Sequence, residues 1–284
     1  GTLNILENGA ILLADGRILA VGPQEELLAA YPHAERLDAA GRAVVPGFVD
    51  PHTHLVWAGA RVNEFEMRLQ GKTYMEIMAA GGGIAATVNA TRKASLDELI
   101  AQSRLRAQRA FSLGTTTMEA KSGYGLDLET EYRQLEAVLA LDQEGPLELV
   151  PTWMGAHAIP PEYKDRPNDY LDFLCERALP DLKAWWQRHA PQRPLPFVDV
   201  FCEQGVFELD ATRQILLAAR SLDFPLKLHV DEFANLGGAS LAAELGAVSA
   251  DHLVRTGKGD IERLAASDTV AVSLPATPFG LAES

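Results

Sequence analysis

Two histidines separated by one residue, His52 and His54, are the sharpest chemical signal in the sequence. They follow an apolar run, residues 44–49, that reads as a buried strand. Residues two apart on a strand project from the same face, so both imidazoles would point the same way. Neutral imidazole is a ligand that suits Zn²⁺ or Fe²⁺. The pair predicts a metal site at the end of this strand, the alternative being two solvated histidines.

Further histidines close other apolar runs. His229 lies in residues 225–230, where a lone histidine is more often a hydrogen-bonded core residue than a ligand. With a histidine pair expected at the same edge, it becomes the natural third ligand. His157 and His252 end two more runs at equivalent heights. One metal ion does not need five histidines, so some of them should bind substrate or move protons.

Three other residues are candidates for chemistry beside the histidines. Glu232 is either a solvated loop acid, a neighbour of a helix cap, or a general acid/base. Arg61 either pairs with a nearby glutamate or clamps a substrate carboxylate with its bidentate guanidinium. Tyr124 lies in a glycine-flanked loop where a core aromatic is not expected, so a ligand contact is predicted.

The elements that must position these residues follow a repeating pattern. Short apolar, β-rich runs recur, and stretches with helical spacing separate most of them; the runs are residues 44–49, 115–118, 147–154, 197–201, 225–230, 247–250 and 269–274. Ser95 with Glu98 marks the start of one helix as a capping box. Continuous apolar strands alternating with helices indicate a parallel sheet covered on both faces.

Ionisable residues at the ends of many strands are typical of a (β/α)8 barrel. An open doubly wound sheet is the alternative, but no Gly-x-Gly-x-x-Gly turn follows an early strand. Seven candidate strands are present where a closed barrel has eight. We therefore expect an α/β fold, a (β/α)8 TIM-type barrel over residues 46–284 whose eighth strand is missing from this chain.

Residues 1–45 have a different pattern, with short apolar stretches broken by turn residues. Asp15-Gly16 between two of them predicts a β-hairpin, and a short helix is expected near residues 25–30. This segment is predicted to be part of a small N-terminal β-sandwich-like domain.

Composition excludes several classes of protein. The 284 residues carry 25 Lys and Arg against 39 Asp and Glu, a net charge of −14, which argues against a nucleic-acid or anionic membrane partner. No apolar run approaches the roughly 20 residues that span a bilayer. The two cysteines, Cys175 and Cys202, are too few for a disulfide framework. We expect a cytoplasmic protein.

An ordered set of motifs resembles the amidohydrolase superfamily, metal-dependent hydrolases built on a (β/α)8 barrel. The motifs are Val45-Pro46-Gly47-Phe48-Val49-Asp50-Pro51-His52-Thr53-His54, Trp57-Ala58-Gly59-Ala60-Arg61, Gly81-Gly82-Gly83-Ile84, Lys121-Ser122-Gly123-Tyr124-Gly125, Gly155-Ala156-His157-Ala158, Leu228-His229-Val230-Asp231-Glu232-Phe233 and Ser249-Ala250-Asp251-His252-Leu253. Within the superfamily, the set is similar to the branch that opens 4-imidazolone-5-propanoate to N-formimidoyl-L-glutamate in histidine breakdown.

The resemblance implies a role for each matching residue. It assigns His52, His54 and His229 as metal ligands, Arg61, Tyr124 and His157 as substrate contacts, and Glu232 and His252 as catalytic residues near the reacting carbonyl. It implies one divalent ion, Zn or Fe, and a homodimer. Cys202-Glu203 stands where a two-metal relative would carry a lysine, which favours one metal. The aspartate that the family places on its eighth strand has no counterpart in this chain.

Two other functions fit the same residues. One is a sibling amidohydrolase, such as a purine or pyrimidine deaminase or a cyclic amidase. The other is a catalytically inactive relative that only binds its ligand.

Overall fold

The computed structural model describes residues 4–72, 76 and 82–280. Gly81, the first glycine of the predicted Gly81-Gly82-Gly83 motif, lies outside them. Contacts divide the chain into two compact units, Gly1–Pro46 and Gly47–Ser284. No helix in the described part of the chain is long and apolar enough to cross a bilayer.

The first unit contains a hairpin followed by a short helix. Strands β1 (Gly9–Ala14) and β2 (Arg17–Pro23) pair antiparallel, and helix α1 (Gln24–Ala30) follows. Asp15 and Gly16 both have positive φ angles, 53° and 72°, as a two-residue hairpin turn of this hand requires. The predicted hairpin and helix are therefore confirmed.

The second unit is built on seven parallel strands. They are β3 (Phe48–Asp50), β4 (Thr115–Lys121), β5 (Glu148–Ala156), β6 (Phe197–Cys202), β7 (Leu226–Val230), β8 (Ser249–His252) and β9 (Val270–Ser273). Neighbours in the sheet are neighbours in the chain, and every pairing is parallel. All seven predicted strands are present, and the architecture is that of a TIM-type fold with one strand missing.

Helices connect these strands. They are α2 (Val62–Leu69), α3 (Ile84–Lys93), α4 (Leu96–Ser112), α5 (Leu128–Glu144), α6 (Pro167–Asp172), α7 (Leu179–His189), α8 (Leu209–Ser221), α9 (Gly238–Leu245), α10 (Lys258–Ala265) and α11 (Ala276–Gly280), with a π-helical segment, Phe173–Ala178, joining α6 to α7. The capping box predicted at Ser95 and Glu98 starts α4.

Two apolar clusters fix the helices on the sheet. The larger includes Trp153 on β5, Trp186 on α7 and Leu228 on β7, all fully buried. The smaller packs α4 and α5 against β4 around Leu99 and Val138. Because each large apolar side chain contributes about 1.5–3 kcal/mol on burial, these clusters make the sheet a rigid support for the residues at its ends.

The sheet curls so that strands distant in its order approach one another. The Lys227 ammonium, on β7, donates to the carbonyl oxygen of Pro51, just after β3, at 2.9 Å. His52, also after β3, contacts Asp251 on β8. The carboxyl ends of β3, β7 and β8 therefore gather around one point.

Candidate active site

A cleft of about 670 Å³ lies at the carboxyl ends of the strands. Its lining includes all eight residues singled out from the sequence: His52, His54, Arg61, Tyr124, His157, His229, Glu232 and His252. The structure thus brings together residues that are spread over about 200 positions of the chain.

The histidines form a compact cluster in this cleft. His54 Nε2 lies 3.2 Å from His229 Nε2, and the His54 ring stacks on that of His157 with centroids 4.7 Å apart. The His52 and His229 rings have centroids 4.4 Å apart. His52, His229 and His252 have ligand atoms that all lie within 4.8 Å of one another. In this triplet His252 stands where the family resemblance implies His54.

Two carboxylates fix the protonation of two of these rings. His229 Nδ1 lies 2.9 Å from Asp199 Oδ1, and His52 Nδ1 lies 2.6 Å from Asp251 Oδ2. An ionised carboxylate only accepts hydrogen bonds, so each Nδ1 carries the proton. In the neutral form of each ring, Nε2 is then left with a lone pair, which is how histidine binds a metal ion.

Five buried charged side chains lie beneath the histidines. The Lys121 ammonium is 2.8 Å from Glu119 Oε1, 2.6 Å from Asp199 Oδ2 and 3.5 Å from Asp251 Oδ2. The Lys227 ammonium is 2.9 Å from Glu119 Oε2 and 3.4 Å from Asp251 Oδ2. Burial alone would raise the pKa of Asp199, but the adjacent lysines hold it below its ordinary value. The Asp199 carboxylate therefore stays ionised.

Sequence reasoning gave no role to any of these five residues. A usable signal was present for Asp199 and Lys227, since each is a charged residue inside an otherwise apolar strand. Lys227 is two residues from His229, so both side chains project from the same face of β7.

The loop after β4 positions Tyr124 and His157. The Glu131 carboxylate accepts hydrogen bonds from the backbone N–H groups of Gly123, Gly125 and Leu126, at 2.8–3.2 Å. Gly123 has a φ of 106°, and its carbonyl oxygen accepts from His157 Nδ1 at 2.9 Å. Burial lowers the pKa of His157 to about 4, so its imidazole is neutral.

Arg61 makes the pair with a nearby glutamate, one of its two predicted roles, and also lies at the cleft. Its Nη2 donates to Glu64 Oε2 at 2.6 Å, and Glu64 Oε1 accepts from the Gly83 N–H at 2.8 Å. The same arginine lines the cleft. The salt bridge therefore orients the guanidinium at the start of α2 without removing it from the cleft.

Glu232, in the loop after β7, faces His252, the last residue of β8. Glu232 Oε1 is 3.7 Å from His252 Nδ1, and burial lowers the pKa of His252 to about 3. Glu203 Oε2, at the end of β6, accepts from the N–H groups of Phe233 at 3.0 Å and Ala234 at 3.4 Å. These bonds fix the loop that carries Glu232.

Comparisons with known proteins identify relatives of this chain. Residues 9–34 match the imidazolonepropionase-like composite domain of bacteria, and residues 35–99 match the amidohydrolase family. Imidazolonepropionase of Herpetosiphon aurantiacus is 51% identical over 99% of this chain and 66% of its own length. That of Chloroflexus aggregans is 49% identical over 98% of this chain and 66% of its own. The chain belongs to the imidazolonepropionase family of amidohydrolases. It spans about two thirds of the length of these curated relatives.

Solved structures share the fold with this member of the imidazolonepropionase family. The 5-methylcytosine deaminase of Klebsiella pneumoniae liganded with 5-fluorocytosine superposes with a TM-score of 0.65 and 17% identity, covering 95% of this chain and 63% of its own. A mutant atrazine chlorohydrolase of Arthrobacter aurescens, complexed with zinc and atraton, gives a TM-score of 0.61 and 13% identity over 98% and 63%.

Proposed function

We propose that the protein containing this chain hydrolyses the cyclic amide of 4-imidazolone-5-propanoate to N-formimidoyl-L-glutamate, a step in histidine degradation. The observation that carries the proposal is the identity of about half over nearly the whole chain with proteins named imidazolonepropionase. The convergence of Arg61 and the histidine cluster on one cleft supports it, because the substrate joins a carboxylate to a hydrolysable ring.

The residues fit one divalent metal ion, Zn²⁺ or Fe²⁺. Burial keeps the pKa values of His54 and His229 well below the ordinary value, so both rings are neutral. Among the described residues, the buried His54 Nδ1 has no hydrogen-bond partner. His52, His54 and His229 are proposed to hold the ion, with His252 as the neighbour whose ligand atom also lies close to two of them. When bound, such an ion polarises a carbonyl and lowers the pKa of a bound water from 15.7 towards about 7.

The chain's own residues supply binding and proton transfer. Arg61 is proposed to bind the propanoate carboxylate through its guanidinium, while Tyr124 and His157 contact the ring. Glu232 is proposed to take a proton from the attacking water and to return it to the ring nitrogen when the carbon–nitrogen bond breaks. His252, neutral because of its low pKa, is proposed to donate a hydrogen bond to the oxygen of the tetrahedral intermediate.

The assignment is tested with the full-length protein and 4-imidazolone-5-propanoate. Ring opening adds one water to the substrate and releases no ammonia, so mass spectrometry and an ammonia assay together separate this function from that of a deaminase. Failure to consume the substrate while still binding it would favour the inactive, ligand-binding relative. Glu232→Gln in the same assay should abolish turnover and leave binding in place.

The organisation of the whole protein is part of this proposal. We infer that residues 46–284 form the metal-dependent hydrolase barrel and that residues 1–45 belong to a small β domain. The protein is proposed to be a cytoplasmic homodimer with no nucleic-acid or membrane partner. Light scattering on the full-length protein measures the subunit number, and a monomer would contradict the dimer.

A further inference from the structure

Lys121 is a charged residue at the end of β4 whose side chain is completely buried. Its ammonium contacts three carboxylates, and two of them, Asp199 and Asp251, are the groups that hold His229 and His52. We propose that Lys121 is a positioning residue that holds these two carboxylates in the orientation that presents both imidazole Nε2 atoms to the cleft. The inference rests on the proposed function only in taking these histidines to be metal ligands.

The clearest geometry is at Asp199. Its Oδ2 accepts from the Lys121 ammonium at 2.6 Å, which leaves Oδ1 to accept from His229 Nδ1 at 2.9 Å. The Asp199 carboxylate thus joins the lysine to the histidine, using one oxygen for each of them. Without the ammonium, Oδ2 loses this donor and the carboxylate is free to rotate away from the imidazole.

Asp251 is held in a similar way. Its Oδ2 accepts from His52 Nδ1 at 2.6 Å with the Lys121 ammonium 3.5 Å away, and its Oδ1 accepts from the Ser249 hydroxyl at 2.6 Å. A single lysine on β4 therefore reaches acceptors on β6 and on β8. These acceptors hold histidines that belong to two further parts of the sheet, the end of β3 and β7.

A purely structural role for Lys121 would not predict changes at the imidazoles. A buried ion pair is often no more stabilising than apolar side chains of the same volume, so stability alone does not account for a lysine at this place. The positioning role predicts changes at the imidazoles that a packing role does not. Lys227 provides the comparison. It is also buried and also contacts Glu119 and Asp251, but among the described residues no hydrogen bond or ion pair joins it to Asp199.

The test uses the full-length protein labelled with ¹⁵N-histidine, first stripped of metal. The nitrogen chemical shifts report which ring atom carries the proton. We expect a single Nδ1–H tautomer for His229 in the unchanged protein and a mixture in Lys121→Met. Zinc binding, measured by competition with a chelator, should weaken by about 10–100-fold, the usual effect of losing the partner of a metal ligand. Neither readout requires activity, so a failure of the proposed reaction would leave this test intact.

Lys227→Met is the matched control, and it should retain the Nδ1–H tautomer of His229. If Lys121→Met does not fold, the double variant Lys121→Met with Glu119→Gln takes its place, because it removes one charge of each sign and still deprives Asp199 of its lysine donor. An unchanged His229 tautomer and unchanged zinc affinity in the folded Lys121 variant would overturn the proposal. Equal disturbance of His229 in Lys227→Met would overturn it as well.

Discussion

At the scale of single residues, the guanidinium of Arg61 is anchored at one nitrogen and still reaches the cleft. Its Nη2 is bound to Glu64, and 35% of its side chain remains exposed. We expect Arg61→Lys to raise KM for the imidazolone carboxylate by about 10–100-fold with little change in kcat, because a hydrogen bond to a charged group contributes about 1.5–3 kcal/mol and lysine lacks the bidentate fork. Steady-state kinetics measures both constants.

Arg68→Lys is the control for this prediction. Arg68 lies on the same helix and also lines the cleft, but it has no assigned contact with substrate. Equal effects of the two substitutions on KM would mean that Arg61 is not the carboxylate clamp.

The depressed pKa of His157 couples the stability of the metal-free protein to pH. The ordinary value is 6.5 and the folded value is about 4, so between these the unfolded chain binds a proton that the folded chain does not. Stability is therefore lost as the pH falls below about 6.5. Between pH 7 and pH 5, His157 lowers the free energy of unfolding by about 2 kcal/mol. Chemical denaturation at a series of pH values measures this slope.

The variant His157→Gln isolates the contribution of this histidine to the pH dependence of stability. It should have a shallower dependence on pH than the unchanged protein, whatever its stability at pH 7. A slope identical to that of the unchanged protein would place the pH dependence in other groups.

At the scale of elements, Gly123 determines the shape of the loop after β4. Its φ is 106°, and a Cβ atom there would lie 3.0 Å from His157 Nδ1. Gly205 also has a positive φ, 76°, but has open space around it. We expect Gly205→Ala to cost about 1–2 kcal/mol of stability through backbone strain alone. Gly123→Ala should cost more and should also raise KM, because it displaces the His157 ring, which lines the cleft and is proposed to contact the substrate.

Thermal unfolding and steady-state kinetics of the two glycine variants test this difference. A normal KM in folded Gly123→Ala would show that the loop tolerates a side chain at this position.

The loop after β7 depends on a carboxylate from β6. Glu203→Gln places an amide NH₂ group against backbone donors that now face a carboxylate oxygen, so the segment carrying Glu232 should shift. We expect kcat to fall by about 10–100-fold with a smaller change in KM, since a displacement of about 1 Å at a catalytic group can have this effect. The exposed Glu208→Gln is the control in the kinetic assay, and a matching loss there would contradict the positioning role.

The repeating elements could be predicted from the sequence, whereas helices α2, α3 and α11 could not. Each strand of the second unit is an apolar run that stands out against its polar flanks, and all seven were found. Helix α3 carries Thr87, Val88 and Thr91, β-branched residues with modest helix propensity, and is stabilised by burying them. Such stabilisation depends on contacts with distant segments, which no local pattern reports.

The same distinction applies to the site. His52, His54 and His229 could be predicted because they end apolar runs. Since residues two apart on a strand project from one face, His52 and His54 were expected on the same face. The partners that orient them were missed, because a contact such as Asp199 with His229 joins two strands and is visible only when the sheet is assembled.

At the scale of the whole molecule, removing the metal should lower the stability of the folded protein. A ligand that binds only the folded state stabilises it by about 4 kcal/mol at 1,000 times its dissociation constant, so a chelator should lower the Tm of the full-length protein. His229→Gln should remove the difference between metal-loaded and metal-free protein, while the exposed His33→Gln should preserve it. Differential scanning calorimetry with and without zinc measures the shift, and its survival in His229→Gln would exclude this cluster as the site.

The buried group of Lys121, Lys227 and three carboxylates also limits how the protein can change by mutation. Ion pairs join two positive and three negative members, so replacing one member by a neutral residue leaves its former partners uncompensated in a place that water does not reach. Two simultaneous replacements that remove one charge of each sign keep the balance. Accepted substitutions at these five positions should therefore be charge-matched double substitutions. In a library of single substitutions to neutral residues at these positions, almost every variant should be inactive.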